Sequence, residues 1–257
     1  MRIELTVLGS GTSMGVPTIS CRCAVCTSPD PHDNRTRPSI MLRYNGHVVL
    51  IDTTPDFRFQ MLREKVDRLD AVLYTHSHAD HILGLDDVRP FNMQETKVIP
   101  IYGNRQAIEG VRRTFKYIFD GNYPFGGVPL VQDHIINGPI DLFGLEFVPV
   151  RVMHGYLEVL GFRFGRVAYL TDYNRIPDSS YPLLRDLDVI FLDALRHMSH
   201  PTHMTVAEAL QEVEKIAPRR AFFTHIAHDL SHQETNAKLP DHVRLCYDGM
   251  HLEFDTD

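Results

Sequence analysis

The sequence predicts an α/β fold in one domain spanning residues 1–257, and three observations predict it. Short apolar runs of strand length recur along the chain and are interrupted by stretches of helical periodicity. Several of the runs end directly in His or Asp, where a loop can carry chemistry on a rigid scaffold. The 257 residues are 43% hydrophobic and 23% charged, the balance of a soluble globular chain long enough to bury a full core.

The elements follow in order. Residues 1–8 alternate through Ile3, Leu5 and Val7 as an opening strand. Gly9, Gly11 and Gly15 follow as G-x-G-x-x-x-G with no convincing helix behind them, a poor dinucleotide fingerprint and a better tight loop that brings backbone near a site. Residues 39–44 and 47–51 flank Asn45-Gly46, a strong hairpin signal. Thr54 before Pro55 reads as an N-cap for a helix over residues 55–65. Strands are expected at 69–74, 98–102, 145–150, 157–164, 166–170, 188–192 and 221–223, with a helix at 105–115. A second helix, 205–217, has the box Thr205-x-x-Glu208 and an apolar face of Val206, Ala209, Leu210, Val213 and Ile216. Residues 120–138, rich in Gly, Pro and Asn, read as a loop roofing a site.

Composition limits the function. A net charge of −7 argues against a long nucleic-acid groove, which needs a basic face. No apolar run approaches twenty residues and no signal-like segment follows Met1, so a cytoplasmic protein without a membrane partner is expected. Fifteen histidines, against no Trp and four Cys, make imidazole the dominant chemistry.

The strand 69–74 runs into Thr75-His76-Ser77-His78-Ala79-Asp80-His81. In extended chain, residues two apart point the same way, so His76 and His78 can grip one ion while Asp80 and His81, past the bend, face a second. Three imidazoles and a carboxylate packed this closely need a cation to share their lone pairs. Asp52, at a strand end shortly before, is placed to orient one of these histidines. A separate cluster, Cys21, Cys23 and Cys26, is spaced for one soft or borderline cation that wants a fourth ligand. Cys246, in an apolar run, reads as a free core thiol.

The H-x-H-x-D-H stretch resembles the signature of the metallo-β-lactamase superfamily. That resemblance implies a four-layer αββα sandwich, two mixed β-sheets flanked by helices. It further implies His76, His78 and His154 on one divalent ion, Asp80, His81 and His225 on a second, and Asp172 bridging. The ions would be zinc, manganese or iron, and such a pair brings the pKa of a shared water towards neutrality. Leu8-Gly9-Ser10-Gly11, Gly15-Val16-Pro17 and the three cysteines resemble the phosphoribosyl cyclic phosphodiesterase family, with coenzyme PQQ biosynthesis protein B and ribonuclease Z as relatives. By that resemblance His228 completes a structural zinc with Cys21, Cys23 and Cys26, and the protein is a homodimer. Asp80, Asp172 and His203 would be catalytic, with His203 serving the leaving group and His197 and His200 as runners-up. The implied substrate is a small anionic phosphodiester such as 5-phosphoribosyl 1,2-cyclic phosphate. A lactonase or thioesterase, an RNA processor and a carrier protein are the alternatives. Residues 93–96 and 120–127 show no recognisable sugar or phosphate contact, and Arg22, Arg35 and Arg37 read as solvated surface charges.

Overall fold

The computed structural model describes residues 1–95, 97–121 and 127–256. Thr96 and residues 122–126, parts of the two uninformative stretches, lie outside the described residues.

In chain order the elements are β1 (Arg2–Gly9), β2 (Ser39–Tyr44), β3 (His47–Ile51), α1 (Phe57–Arg63), β4 (Ala71–Leu73), α2 (Ala79–Ile82) and α3 (Arg89–Glu95). There follow β5 (Ile99–Gly103), α4 (Arg105–Thr114), α5 (Lys116–Phe119), β6 (Val131–Ile135), β7 (Ile140–Leu142), β8 (Leu145–His154), β9 (Leu157–Phe164) and β10 (Val167–Tyr169). The chain closes with β11 (Val189–Asp193), α6 (Val206–Ile216), β12 (Arg220–Thr224), α7 (His232–Asn236), β13 (Val243–Leu245) and β14 (His251–Asp255).

Two seven-stranded sheets result, ordered β14-β1-β2-β3-β4-β5-β6 and β13-β12-β11-β10-β9-β8-β7. Each is mixed. β3 to β6 pair in parallel, as do β10 to β13, while the remaining pairs are antiparallel. Strand alternation then builds the layers. Val49 and Ile51 of β3 face Phe147, Phe162 and Phe191 in the core between the sheets, whereas Val48 and Leu50 pack outward under Phe57, Met61 and Val111. Likewise Val189 and Phe191 point inward, and Ile190 and Leu192 outward under Val206, Ala209 and Val213 of α6. Three apolar interfaces separate four layers, as the sequence led us to expect.

Three local expectations are corrected. The first helix starts at Phe57 instead of residue 55, with Asp56 at its N-cap. The Thr54 hydroxyl accepts from Asp56 N–H in the preceding turn, and Asp56 is held by the backbone and guanidinium of Arg37, so the chain turns before it coils. The supposed loop 120–138 contains β6, which extends the first sheet by parallel pairing with β5. Its Gln132, Asp133 and His134 hide the strand, because an edge strand keeps polar side chains. Arg35 is 1% exposed and paired with Asp33 at 2.9 Å, so it is no surface charge; Arg37 pairs with Asp56, and Arg22 is exposed.

Candidate metal centre

The topology puts one set of strand ends together. β1, β3, β4 and β5 run the same way in the first sheet, as do β8, β10, β11 and β12 in the second. Asp52 follows β3 and the His76–His81 stretch follows β4; His154 ends β8, Asp172 follows β10, Asp193 ends β11 and His225 follows β12. Ligand crevices of α/β sheets lie beyond such carboxyl ends.

Asp52 fixes the first loop. Its carboxylate accepts from Thr75 N–H (2.9 Å) and Thr75 Oγ1 (2.8 Å), and its Oδ2 lies 2.7 Å from His81 Nδ1. His81 is thereby left with Nε2 facing the site. α4 packs against the same loop through Gly110, where a Cβ would sit 2.3 Å from Ser77 Cβ. Asp52, Asp172 and His225 adopt φ of 68°, 54° and 59°. This left-handed backbone costs a non-glycine residue about 1 kcal/mol or more and clusters at functional sites.

Asp80, His81, Asp172 and His225 are all buried and offer ligand atoms within 4.8 Å of one another. Asp172 spans the group: Oδ2 is 3.1 Å from His81 Nε2 and Oδ1 3.2 Å from His225 Nε2. Asp80 Oδ2 stands 3.3 Å from His81 Nε2 and 3.7 Å from His225 Nε2. The second set gathers around His78, whose ring centroid is 4.5 Å from that of His76 and 5.2 Å from that of His154. His154 Nδ1 is 2.9 Å from the Thr202 carbonyl. All seven residues of the expected dinuclear set therefore come together.

These donors suit divalent cations. The Nε2 atoms of The field points the same way. Burial disfavours a charged His225, yet the carboxylates of Asp172, Asp80 and Asp193 outweigh it and draw its pKa up to about 9. Against the same burial, His81 and His225 hold Asp80 below the ordinary carboxylate range. A metal pair would sit where the site now attracts protons.

His203 also belongs here, 9% exposed, with its ring 4.6 Å from that of His154 and stacked at 4.5 Å on His225. Its Nδ1 lies 2.7 Å from Asp193 Oδ2, which also accepts Tyr173 N–H at 3.2 Å. His154, Asp172 and His203 offer ligand atoms within 4.8 Å of each other. His200 lies behind, its ring 5.0 Å from His203, and exposed His197 lines a different cavity beside Cys23 and His228. Asp193 went unassigned in the sequence; its signal was a strand-end acid ten residues before a histidine.

The second cluster closes as expected. Cys21, Cys23 and Cys26 place Sγ 3.2, 3.5 and 3.4 Å from His228 Nδ1. Three thiols and an imidazole within 4.8 Å match a tetrahedral zinc donor set. Cys246 is buried apart from them, in the core between the sheets.

A family model described as the β-lactamase superfamily domain matches residues 47–226, taking in all seven residues of the dinuclear set. The chain belongs to the β-lactamase superfamily. Among solved structures of this superfamily, a crystal structure described as a new diphosphatase from the PhnP family is 53% identical, with a TM-score of 0.93 over 99% of this chain and 98% of that one. Zinc-bound PqqB from Methylobacterium extorquens, 19% identical with a TM-score of 0.78 over 97% of this chain and 99% of its own, shares the fold. An octanoyltransferase of Porphyromonas gingivalis is 37% identical over 97% of this chain and 51% of its own length, so the chain spans about half of that relative. The kinship expected from the heptapeptide and the cysteines is borne out, and the chain is a hydrolase of this superfamily.

Proposed function

We propose that this hydrolase cleaves a small phosphodiester, with His76, His78 and His154 holding one divalent ion, Asp80, His81 and His225 another, and Asp172 between them. The observation that carries this reading is the Asp172 carboxylate, whose two oxygens meet different histidines while His154 and His203 stand within ligand distance. Zinc, manganese or iron bound there supplies Lewis-acid polarisation of a phosphoryl oxygen and a water ionised near neutral pH.

The chain's own residues do the rest. Asp52 and the Thr202 carbonyl fix the rings of His81 and His154 through their Nδ1 atoms. Asp193 takes Nδ1 of His203, so the remaining Nε2 is the atom that hands a proton to the departing oxygen. The stack of His203 on His225 keeps that nitrogen beside the reacting group. A five-membered cyclic phosphodiester such as 5-phosphoribosyl 1,2-cyclic phosphate suits this arrangement. So does a phosphoanhydride, the linkage implied by the diphosphatase at 53% identity, because both present a singly charged phosphorus between two ester-type oxygens. The net charge of −7 keeps long RNA out of the proposal.

A second reading, hydrolysis of an acyl ester or thioester by the same residues, draws on the printed name of the octanoyltransferase. Metal analysis of the purified protein, run beside turnover of bis(p-nitrophenyl) phosphate, a ribosyl cyclic phosphate, a dinucleoside diphosphate, a lactone and an octanoyl thioester, separates the two. Three metals per chain with phosphoryl turnover is the expected result. Turnover of the acyl substrates alone overturns the phosphodiester reading.

A further inference from the structure

The cysteine cluster offers a chemistry that hydrolysis does not use. Cys23 and His228 form part of the wall of an open surface cavity of about 740 Å³, lined also by His197, Glu234 and Lys238. Small solutes can therefore reach the Cys23 sulfur, and Cys21 beside it is also partly exposed. Cys26 N–H points at Cys23 Sγ from 3.4 Å, a contact that favours the nucleophilic thiolate.

The cluster is also mechanically joined to the dinuclear site. His228 follows His225 by three positions. The intervening chain is pinned on both sides: Ile226 N–H donates to Ser10 O at 2.9 Å, Thr12 N–H to Ile226 O at 3.0 Å and Ala227 N–H to Leu195 O at 2.9 Å. Buried Arg35 donates to the Ala227 carbonyl at 3.3 Å and the Leu230 carbonyl at 2.8 Å. A displacement of His228 therefore has little slack to absorb it before His225.

We propose that Cys23 is a site of reversible oxidation by hydroperoxides, and that the resulting disulfide empties the cluster and loosens the His225 side of the dinuclear site. The inference rests on the zinc reading of the cluster and goes beyond hydrolysis. In the first step the Cys23 thiolate attacks the peroxide, forming S–O as O–O breaks and an alkoxide or hydroxide leaves. In the second, the thiolate of Cys21 or Cys26 attacks the Cys23 sulfur, forming S–S and expelling hydroxide. Two electrons pass from the two sulfurs to the peroxide, and a dithiol reverses the change. With two of its three thiolates consumed, the cluster no longer completes a tetrahedron and the cation is released.

The test uses the full-length holoprotein with hydrogen peroxide as probe. Expected are two thiols lost per zinc freed to a chromogenic chelator, a disulfide containing Cys23 by mass spectrometry, and a further fall in bound metal after desalting. Dithiothreitol plus zinc restores the starting content. Cys246→Ser, at a thiol buried in the core, leaves this response unchanged. Cobalt-substituted protein separates the two ways of failing. No thiolate-to-cobalt charge-transfer band before treatment overturns the zinc reading itself. A band that survives peroxide, or zinc lost with the dinuclear metals retained, overturns the oxidation or the coupling in turn.

Discussion

Asp172 sits in left-handed backbone, φ 54°, with both carboxylate oxygens turned to histidines. Replacing it removes the one group common to both donor sets, so Asp172→Ala should abolish turnover and lower the metal content of a chain that still folds. Retained activity in the folded variant would sink the site assignment. His203→Ala acts differently. Loss of a general acid costs about 10² to 10⁴ in rate, and metal analysis should show all ions kept; metal loss would make His203 a ligand. A third residue governs acid stability away from these sites. Burial, then the charges of His32 and Arg35, push His232 down to about 4, below the ~6.5 of an unfolded imidazole. The unfolded chain binds the proton first as pH falls. The stability owed to neutral His232 is thus present above about pH 6.5 and lost as pH drops towards 4. His232→Gln should flatten the fall in melting temperature across that window, and an unchanged pH profile would count against the assignment.

At the scale of elements, α6 carries both of its end signals. The Thr205 hydroxyl accepts Glu208 N–H at 3.2 Å and Glu208 returns a carboxylate to Thr205 N–H at 2.8 Å. Thr205→Ala should lower unfolding free energy by about 1 kcal/mol in a denaturant titration. The other end has the opposite sign. Ala217 caps the helix at φ 53°, so Ala217→Gly should stabilise by up to ~1 kcal/mol. This helix was legible because caps and apolar face agree in one short window. α1 was legible only in outline, since Thr54 and Pro55 suit a turn as well as a helix start, and the choice falls to Arg37, distant in sequence. β6 was missed because its partner β5 is the only strand it pairs with and its outward side chains are polar.

For the whole molecule, the metals would join elements that otherwise meet only at their tips. Asp52, Asp80, Asp172 and Asp193 are buried where the two sheets' strand ends converge, and the cations would balance them. Stripping all metal with a strong chelator should therefore lower the melting temperature markedly. A ligand held at a hundred times its Kd stabilises by about 2.7 kcal/mol, and restoring zinc should recover the loss. No change on stripping would argue that the core between the sheets alone sets stability. Among the described residues no helix is long and apolar enough to cross a membrane.

The sequence by itself determined the α/β alternation, the heptapeptide ending β4 and the C-x-C-x-x-C cluster, because each is written within a few residues and obeys local periodicity or ligand spacing. Resemblance carried the rest of the donor set. The tertiary structure alone decided that Asp193 serves His203, that Arg35 is buried against the loop carrying His225 and His228, and that His197 faces away from the dinuclear site. Those relations join residues brought together by parallel strands from distant parts of the chain, and pairing over such separations leaves no local pattern to read.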